Sequence, residues 1–167
     1  VADAPVFIRT ATKRDIPAIQ ALLREVWHAT YDPIFGSDVV AAISGAWHSQ
    51  QALSEKLSFP ASEFILADDG QMIHAMAFAS QIEKTVQLHQ MYVLPGSQGR
   101  GIGTELMQEL FFCFDSASRM ELNVHPQNLN AIGFYKAGGF TETGKIEVPG
   151  PNGMVIPHIV MARDLDH

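Results

Sequence analysis

The sequence predicts an α+β domain: a mixed, mostly antiparallel sheet flanked by helices and opened between two parallel central strands. Three observations carry that expectation. Apolar residues recur at helical spacing up to Pro60 and at alternate positions from Glu63 onward. A glycine-rich turn joins the apolar strand pattern Val86 to Leu94 directly to an amphipathic helix. A further strand pattern, Met120 to Val124, follows that helix, and a strand reached through a helical crossover lies parallel to the one it left. The sheet can part there for a ligand. With 167 residues, no repeat and no linker-like stretch, residues 1–167 read as a single domain able to bury a substantial core.

Each element follows from local chemistry. Val6 to Arg9 is a short opening strand. Thr12, with Asp15 three residues on, is a variant of the capping box, and Ile16, Ile19, Leu22, Leu23, Val26 and Trp27 continue at helical spacing. The first helix is expected to end near His28, because Tyr31-Asp32-Pro33 breaks the pattern. Ser37-Asp38 can cap a second helix with Val39, Val40, Ile43 and Trp47 on its apolar face, and Gln51 to Leu57 suits a short third. Phe64 to Ala67 and Met72 to Gln81 form a hairpin about Asp68-Asp69-Gly70, and a turn at Glu83-Lys84 leads into Val86 to Leu94. After the glycine turn, Ile102, Leu106 and Leu110 mark the buried helix face. Asn128 to Ala137 is a helix stopped by Gly138-Gly139. Strands Phe140 to Val148 and Met154 to Arg163 close the chain around the loop Pro149 to Gly153.

Composition narrows the class of function. A hydrophobic fraction of 47% and a charged fraction of 17% suit a folded globular chain. No apolar run approaches the roughly 18 residues of a membrane span, and the opening residues lack a signal-peptide layout, so a cytoplasmic protein without membrane association is expected. A net charge of −7 argues against nucleic acid and favours a cationic acceptor. Cys113, the single cysteine, lies in the apolar run Phe111 to Phe114 and reads as a packed thiol rather than a nucleophile. No two histidines are spaced as i,i+4 ligands, and no metal is expected.

The glycine turn carries the chemistry. A strand that empties into a helix start leaves backbone N–H groups aimed at one spot, where the helix adds partial positive charge and favours a phosphate. Gly99, Gly101 and Gly103 are spaced two apart, so neither a dinucleotide fingerprint nor a Walker loop fits, and a plain tight turn is the bland alternative. Gln98-Gly99-Arg100-Gly101-Ile102-Gly103 resembles the Q/R-x-x-G-x-G/A signature of the GNAT superfamily of N-acetyltransferases. Leu122 to Asn128, Ala131, Phe134-Tyr135 and Gly139-Phe140 resemble that superfamily's later block. Two blocks in the right order extend the resemblance from Val6 to Leu165.

The resemblance implies an acetyl-CoA-dependent enzyme that moves the acetyl group directly to a primary amine of a small molecule or peptide. It implies that Met91, Tyr92 and Val93 pair with the pantetheine arm and polarise the thioester. Gln98, Gly99, Arg100, Gly101, Ile102, Gly103 and Thr104 would hold the pyrophosphate, Asn128 would bind the cofactor from the opposite strand end, and Tyr135 would protonate the leaving thiolate. Members with a strand Glu as base differ from this chain, which has Asn123 on one strand and Gln87, His89 and Gln90 on the other. His89 is the candidate base, with Glu83 acting through water as the alternative; either could instead be structural, and His125 reads as a loop residue. Trp27, Tyr31, Phe35 and Trp47 are candidate walls of the acceptor site, with Asp32 or Asp38 as counter-charge and the Pro149 to Gly153 loop as another wall. Aromatics at this spacing equally suit a core. A non-catalytic coenzyme A-binding or sensor module is the alternative function, and whether two copies pair as a homodimer stays open.

Overall fold

A computed structural model describes residues 4–166 of the chain. Seven strands, β1 (Phe7–Thr10), β2 (Ser62–Asp68), β3 (Ile73–Ile82), β4 (Thr85–Val93), β5 (Arg119–Val124), β6 (Thr141–Pro149) and β7 (Val155–Asp164), form one sheet in the order β1-β2-β3-β4-β5-β7-β6. Every neighbouring pair is antiparallel except β4 and β5, which are parallel because a helix connects them. The five helices are α1 (Ile16–Phe35), α2 (Ser37–Trp47), α3 (Gln50–Leu57), α4 (Ile102–Cys113) and α5 (Leu129–Ala137). No described helix is long and apolar enough to cross a membrane.

Period-2 alternation sorts the core into two faces. Ile65 and Ala67 of β2 join α4, through Leu106, Met107 and Leu110, on one face. Phe64 and Leu66 meet α1 and α3, through Ile19, Leu23 and Leu53, on the other. Covering both faces explains why Phe64 to Ala67 is an unbroken apolar run. A third cluster, built by Trp27, Tyr31, Val40, Ile43 and Ile156, joins α1 and α2 to β7.

The first helix departs from expectation. It does not stop near His28 but runs through Pro33 to Phe35. Proline removes one hydrogen bond and disfavours helical backbone at Asp32. That loss falls in the last turn, where a 2.8 Å contact between His28 Nδ1 and Asp32 Oδ1 and the burial of Tyr31 offset it. The helix ends at Gly36, whose φ of 86° is open to glycine. Cys113 is half-buried, and burial first, with nearby Glu63 and Glu109, pushes its thiol up to about 11, as a packed thiol requires.

At the start of α1, the Thr12 N–H and hydroxyl both donate to Asp15 Oδ2, at 2.8 and 3.1 Å. Arg9 donates to both Asp15 oxygens at 2.8 Å and, through Nε, to Asp68. The Arg9 bonds chiefly hold the Asp15 carboxyl down at about 2 against the opposing pull of burial. A folded pKa below the unfolded 3.8 contributes stability that is full above 3.8 and is lost as pH falls through 2. Asp15→Asn is therefore expected to lower stability at neutral pH by about 2 kcal/mol and to flatten its fall in acid. Urea midpoints at neutral and acidic pH check this; equal acid sensitivity in the variant would remove the assignment.

Candidate active site

The parallel pair β4–β5 holds only from Thr85–Arg119 to Leu88–Leu122. Beyond it the strands part. The cause is a bulge: Phe78 of β3 pairs with Gln90 and Ala79 with Leu88, so His89 is an extra residue that bends β4. The inner edge of β4 from His89 to Val93 therefore lacks a partner strand. Met91 and Val93 pack toward α4, whereas Tyr92 packs toward α1 and α2. The opening is a cleft of about 1360 Å³.

One wall is the glycine turn. Gly99 and Gly101 both have φ of 80°, a left-handed conformation that lets the chain double back before Ile102. Gly101 caps α4, so the amides of Ile102, Gly103 and Thr104 have no acceptor within the helix. Gly103 packs so closely that a Cβ would stand 3.2 Å from Phe134. The turn is tethered from behind. Ser97 Oγ bonds His74 Nδ1 at 2.7 Å, and His74 Nε2 bonds Asp69 of the β2–β3 turn at 2.7 Å. Gln98 Nε2 reaches the Val93 carbonyl at 3.4 Å. Arg100 donates to the Ala4 carbonyl at 2.8 Å and is not on the cleft wall, unlike its neighbours Gly99 and Gly101. The turn could thus meet a phosphate with amides rather than with that guanidinium.

The facing wall comes from α5. Asn128 caps it, accepting from the Ala131 N–H at 3.3 Å, and its Nδ2 donates to the Tyr31 hydroxyl at 3.3 Å. Tyr135 lies two turns down on the cleft wall, its ring against Phe134 and Phe140. Burial first, then Tyr31, raises its phenol well above the ordinary range and keeps it protonated.

On the α1–α3 side, His89 stacks on Phe78 with ring centroids 5.2 Å apart, and its Nε2 bonds Ser80 Oγ at 2.7 Å. The ring is accessible along one edge, yet crowding by protein first, and Lys56 second, lowers its pKa and favours the neutral form. Trp27 and Tyr31, predicted as acceptor walls, reach the cleft as buried members of the third core cluster, ring centroids 4.5 Å apart. Wall and core were not exclusive readings. Phe35 and Trp47 also line the cleft, and His125 is a buried wall residue, 5.2 Å from the Phe35 ring, although it follows β5 as loop.

Other expectations do not meet at the cleft. Glu83 sits in the β3–β4 turn at the opposite end of β4 and is not on the wall. Asp32 is engaged with His28, and neither it nor Asp38 lines the cleft. The far rim is Val148 and Ile156, not the intervening loop. Three wall residues, His48 at the end of α2, Lys56 in α3 and His158 in β7, carried no sequence signal. Trp27 Nε1, His48 Nε2, Gln90 Oε1 and His158 Nδ1 are buried without a hydrogen bond of good geometry, and all four residues line this cleft. A buried polar atom left unsatisfied calls for a partner, which a water, an ion or a ligand can supply. Among the described residues, no three His, Cys, Asp or Glu side chains gather to hold a metal.

Comparison with known proteins places this geometry. The chain is similar to the peptidyl-lysine N-acetyltransferase YjaB of Salmonella typhimurium, 38% identical over 58 residues covering 35% of this chain and 38% of that protein. It is similar to the N-alpha-acetyltransferase RimI of Mycobacterium tuberculosis, 30% identical over 97 residues covering 56% of this chain and 61% of that protein. The matches span under two thirds of the length of either relative. Its fold is that of the PaiA N-acetyltransferase of Thermoplasma acidophilum, solved in complex with coenzyme A, with a TM-score of 0.83 at 19% identity over 95% of this chain and 98% of that one. Residues 21–140, from α1 through the parted strands and the glycine turn to α5, match the acetyltransferase (GNAT) family, and the chain belongs to that family.

Proposed function

We propose that the chain transfers the acetyl group of acetyl-CoA directly to a primary amine of a small molecule or peptide. The observation that carries this reading is the unpaired β4 edge, which lies between a glycine turn on the α4 face and a polar chamber on the α1–α3 face. A donor lying along the edge from one side and an acceptor entering from the other would meet where the strands part. Met91 to Val93 would pair with the pantetheine arm as an added strand and bring backbone N–H groups to the thioester oxygen. The amides from Gly99 to Thr104 would hold the pyrophosphate. Asn128 would steady the acetyl end while keeping Tyr31 in place.

Transfer then needs two proton movements. The amine nitrogen must present its lone pair, so a proton leaves it as the C–N bond forms. His89, neutral because of its crowded site and steadied by Ser80, is the base. The C–S bond breaks with its electron pair on sulfur, and Tyr135, held protonated, supplies the proton that makes the free thiol. Coenzyme A release over a panel of amino acids, peptides, polyamines and aminoglycosides tests the whole reading. Binding of acetyl-CoA without release for any amine would leave a sensor in place of an enzyme.

A lowered His89 pKa also sets a pH dependence. The base is inactive when protonated, so kcat/KM falls as pH drops below a value that lies under 6.5. His89→Gln should reduce kcat/KM by roughly 10² and remove that acid limb. A limb unchanged in the variant would assign it to another group.

A further inference from the structure

The acceptor chamber carries an imbalance that acetyl transfer alone does not require. Among the residues lining the cleft, only Glu55 and Lys56 are formally charged at neutral pH, and Glu55 is exposed and bonded by Gln51 at 3.3 Å. Lys56 is half-buried, its ammonium 5.5 Å from the Phe78 ring centroid, and it makes no ion pair among the described residues. Besides the coulombic pull of the exposed neighbour Glu55, its support is an aromatic face, worth much less than a paired carboxylate.

His48 adds a second donor. It is 4% exposed, its Nδ1 bonds Ser44 Oγ at 2.9 Å, and its Nε2 has no partner. Burial chiefly, with Lys56, lowers it to about 4, so it is neutral at physiological pH. The Ser44 hydroxyl can donate to Nδ1, and in that tautomer the N–H sits on Nε2 and can serve a ligand acceptor. Trp27 supplies a third donor, its ring 5.2 Å from that of His48 and its Nε1 near the Tyr92 hydroxyl but without a hydrogen bond of good geometry. Lys56 is close enough to act electrostatically on both His48 and His89. Against these donors stands one orphaned acceptor, Gln90 Oε1, next to His89 on the bulge.

Donors without an acceptor at one end, and an acceptor beside the base at the other, describe a zwitterion. We propose that the acceptor is a small amine that also bears a carboxylate, its carboxylate received by Lys56, His48 and the Trp27 indole N–H and its amine by Gln90 and His89. This rests on the transferase reading above and names the substrate class for it. A polyamine or aminoglycoside would instead place a second positive charge near Lys56 with no buried carboxylate to offset it.

The test compares free L-amino acids, their carboxamides and spermidine in a coenzyme A release assay with the full chain. The preferred amino acid should exceed its carboxamide in kcat/KM by about tenfold or more, and spermidine should fall below both. Lys56→Met should bring the acid-to-amide ratio close to one, and Lys56→Arg should keep it. The ratio is the readout because losing Lys56 also perturbs His89, an effect common to both substrates that cancels. Preference for amides or spermidine, or an unchanged ratio in Lys56→Met, overturns the proposal. If acetyl-CoA binds but no amine is turned over, the transferase reading fails by itself. Calorimetry with free amino acids in the presence of coenzyme A then decides the carboxylate site, and equal or absent binding in the parent and in Lys56→Met overturns it.

Discussion

Replacing Tyr135 by Phe is expected to lower kcat by about 10²-fold to 10⁴-fold, the usual weight of a positioned general acid. Acetyl-CoA affinity should stay nearly unchanged. The separation follows from where the hydroxyl sits. The ring packs against Phe134 and Phe140 within the core under α4 and α5, and Phe keeps those contacts. What disappears is one O–H on the cleft wall, in surroundings that keep it protonated across the working range. A water can replace that proton donor only by entering the space vacated, with poorer alignment, and the rate should record the difference. Single-turnover release of coenzyme A, beside calorimetry of acetyl-CoA, separates chemistry from binding. Full turnover in a variant that folds and binds normally would show that the thiolate leaves without help from this residue.

Gly101→Val is expected to raise the acetyl-CoA Kd by at least about 10²-fold, close to 3 kcal/mol. Two effects combine. With φ of 80°, Gly101 holds a conformation that a β-branched residue resists, at roughly 1–3 kcal/mol. Valine would also stand where the amides that open α4 must approach a phosphate. An added Cβ meets nothing within 4 Å, so the core does not oppose it, and the side chain projects into solvent or ligand space. Gly101→Asn divides the two effects, because asparagine tolerates the left-handed region. It should fold as the parent does and bind more weakly only through bulk. Unchanged affinity in a folded valine variant would remove the pyrophosphate role from this turn.

Most elements could be read from the residues because local and tertiary preferences agree. The short apolar runs of β2 and β3, the Thr12–Asp15 cap and the glycine stop after Ala137 each point to the structure found. The end of α1 was not legible. Pro33 is a reliable local breaker, and only tertiary burial of Tyr31, with the His28–Asp32 contact, outweighs it. For the site, the residues named from the glycine turn and from α5 line the cleft, except Arg100, since motif spacing along a single element brings them together. His48 and Lys56 were not named. They reach the cleft because the end of α2 packs on Trp27 and α3 brings Lys56 over Phe78, a placement with no trace in the short helices that bear them. Asp32 and Asp38 were chosen as counter-charges for their sign and proximity in sequence, and neither α1, which holds the first, nor α2, which holds the second, brings it to the cleft wall.

The extra residue in β4 has a consequence for what this strand can tolerate over time. Before it, the even-numbered Val86 and Leu88 face α4; after it, the odd-numbered Met91 and Val93 do. The bulge is what changes the parity: Leu88 opposite Ala79 and Met91 opposite Ala77 share the α4 face although three positions separate them. A deletion at His89 would leave Met91 and Val93 on that face and Tyr92 on the other, but it would restore unbroken pairing with β3 and remove the bend that parts β4 from β5. The segment from Leu88 to Val93 should therefore resist shortening, because loss of the extra residue would take away the unpaired edge from His89 to Val93 in the one stretch where the sheet itself is irregular.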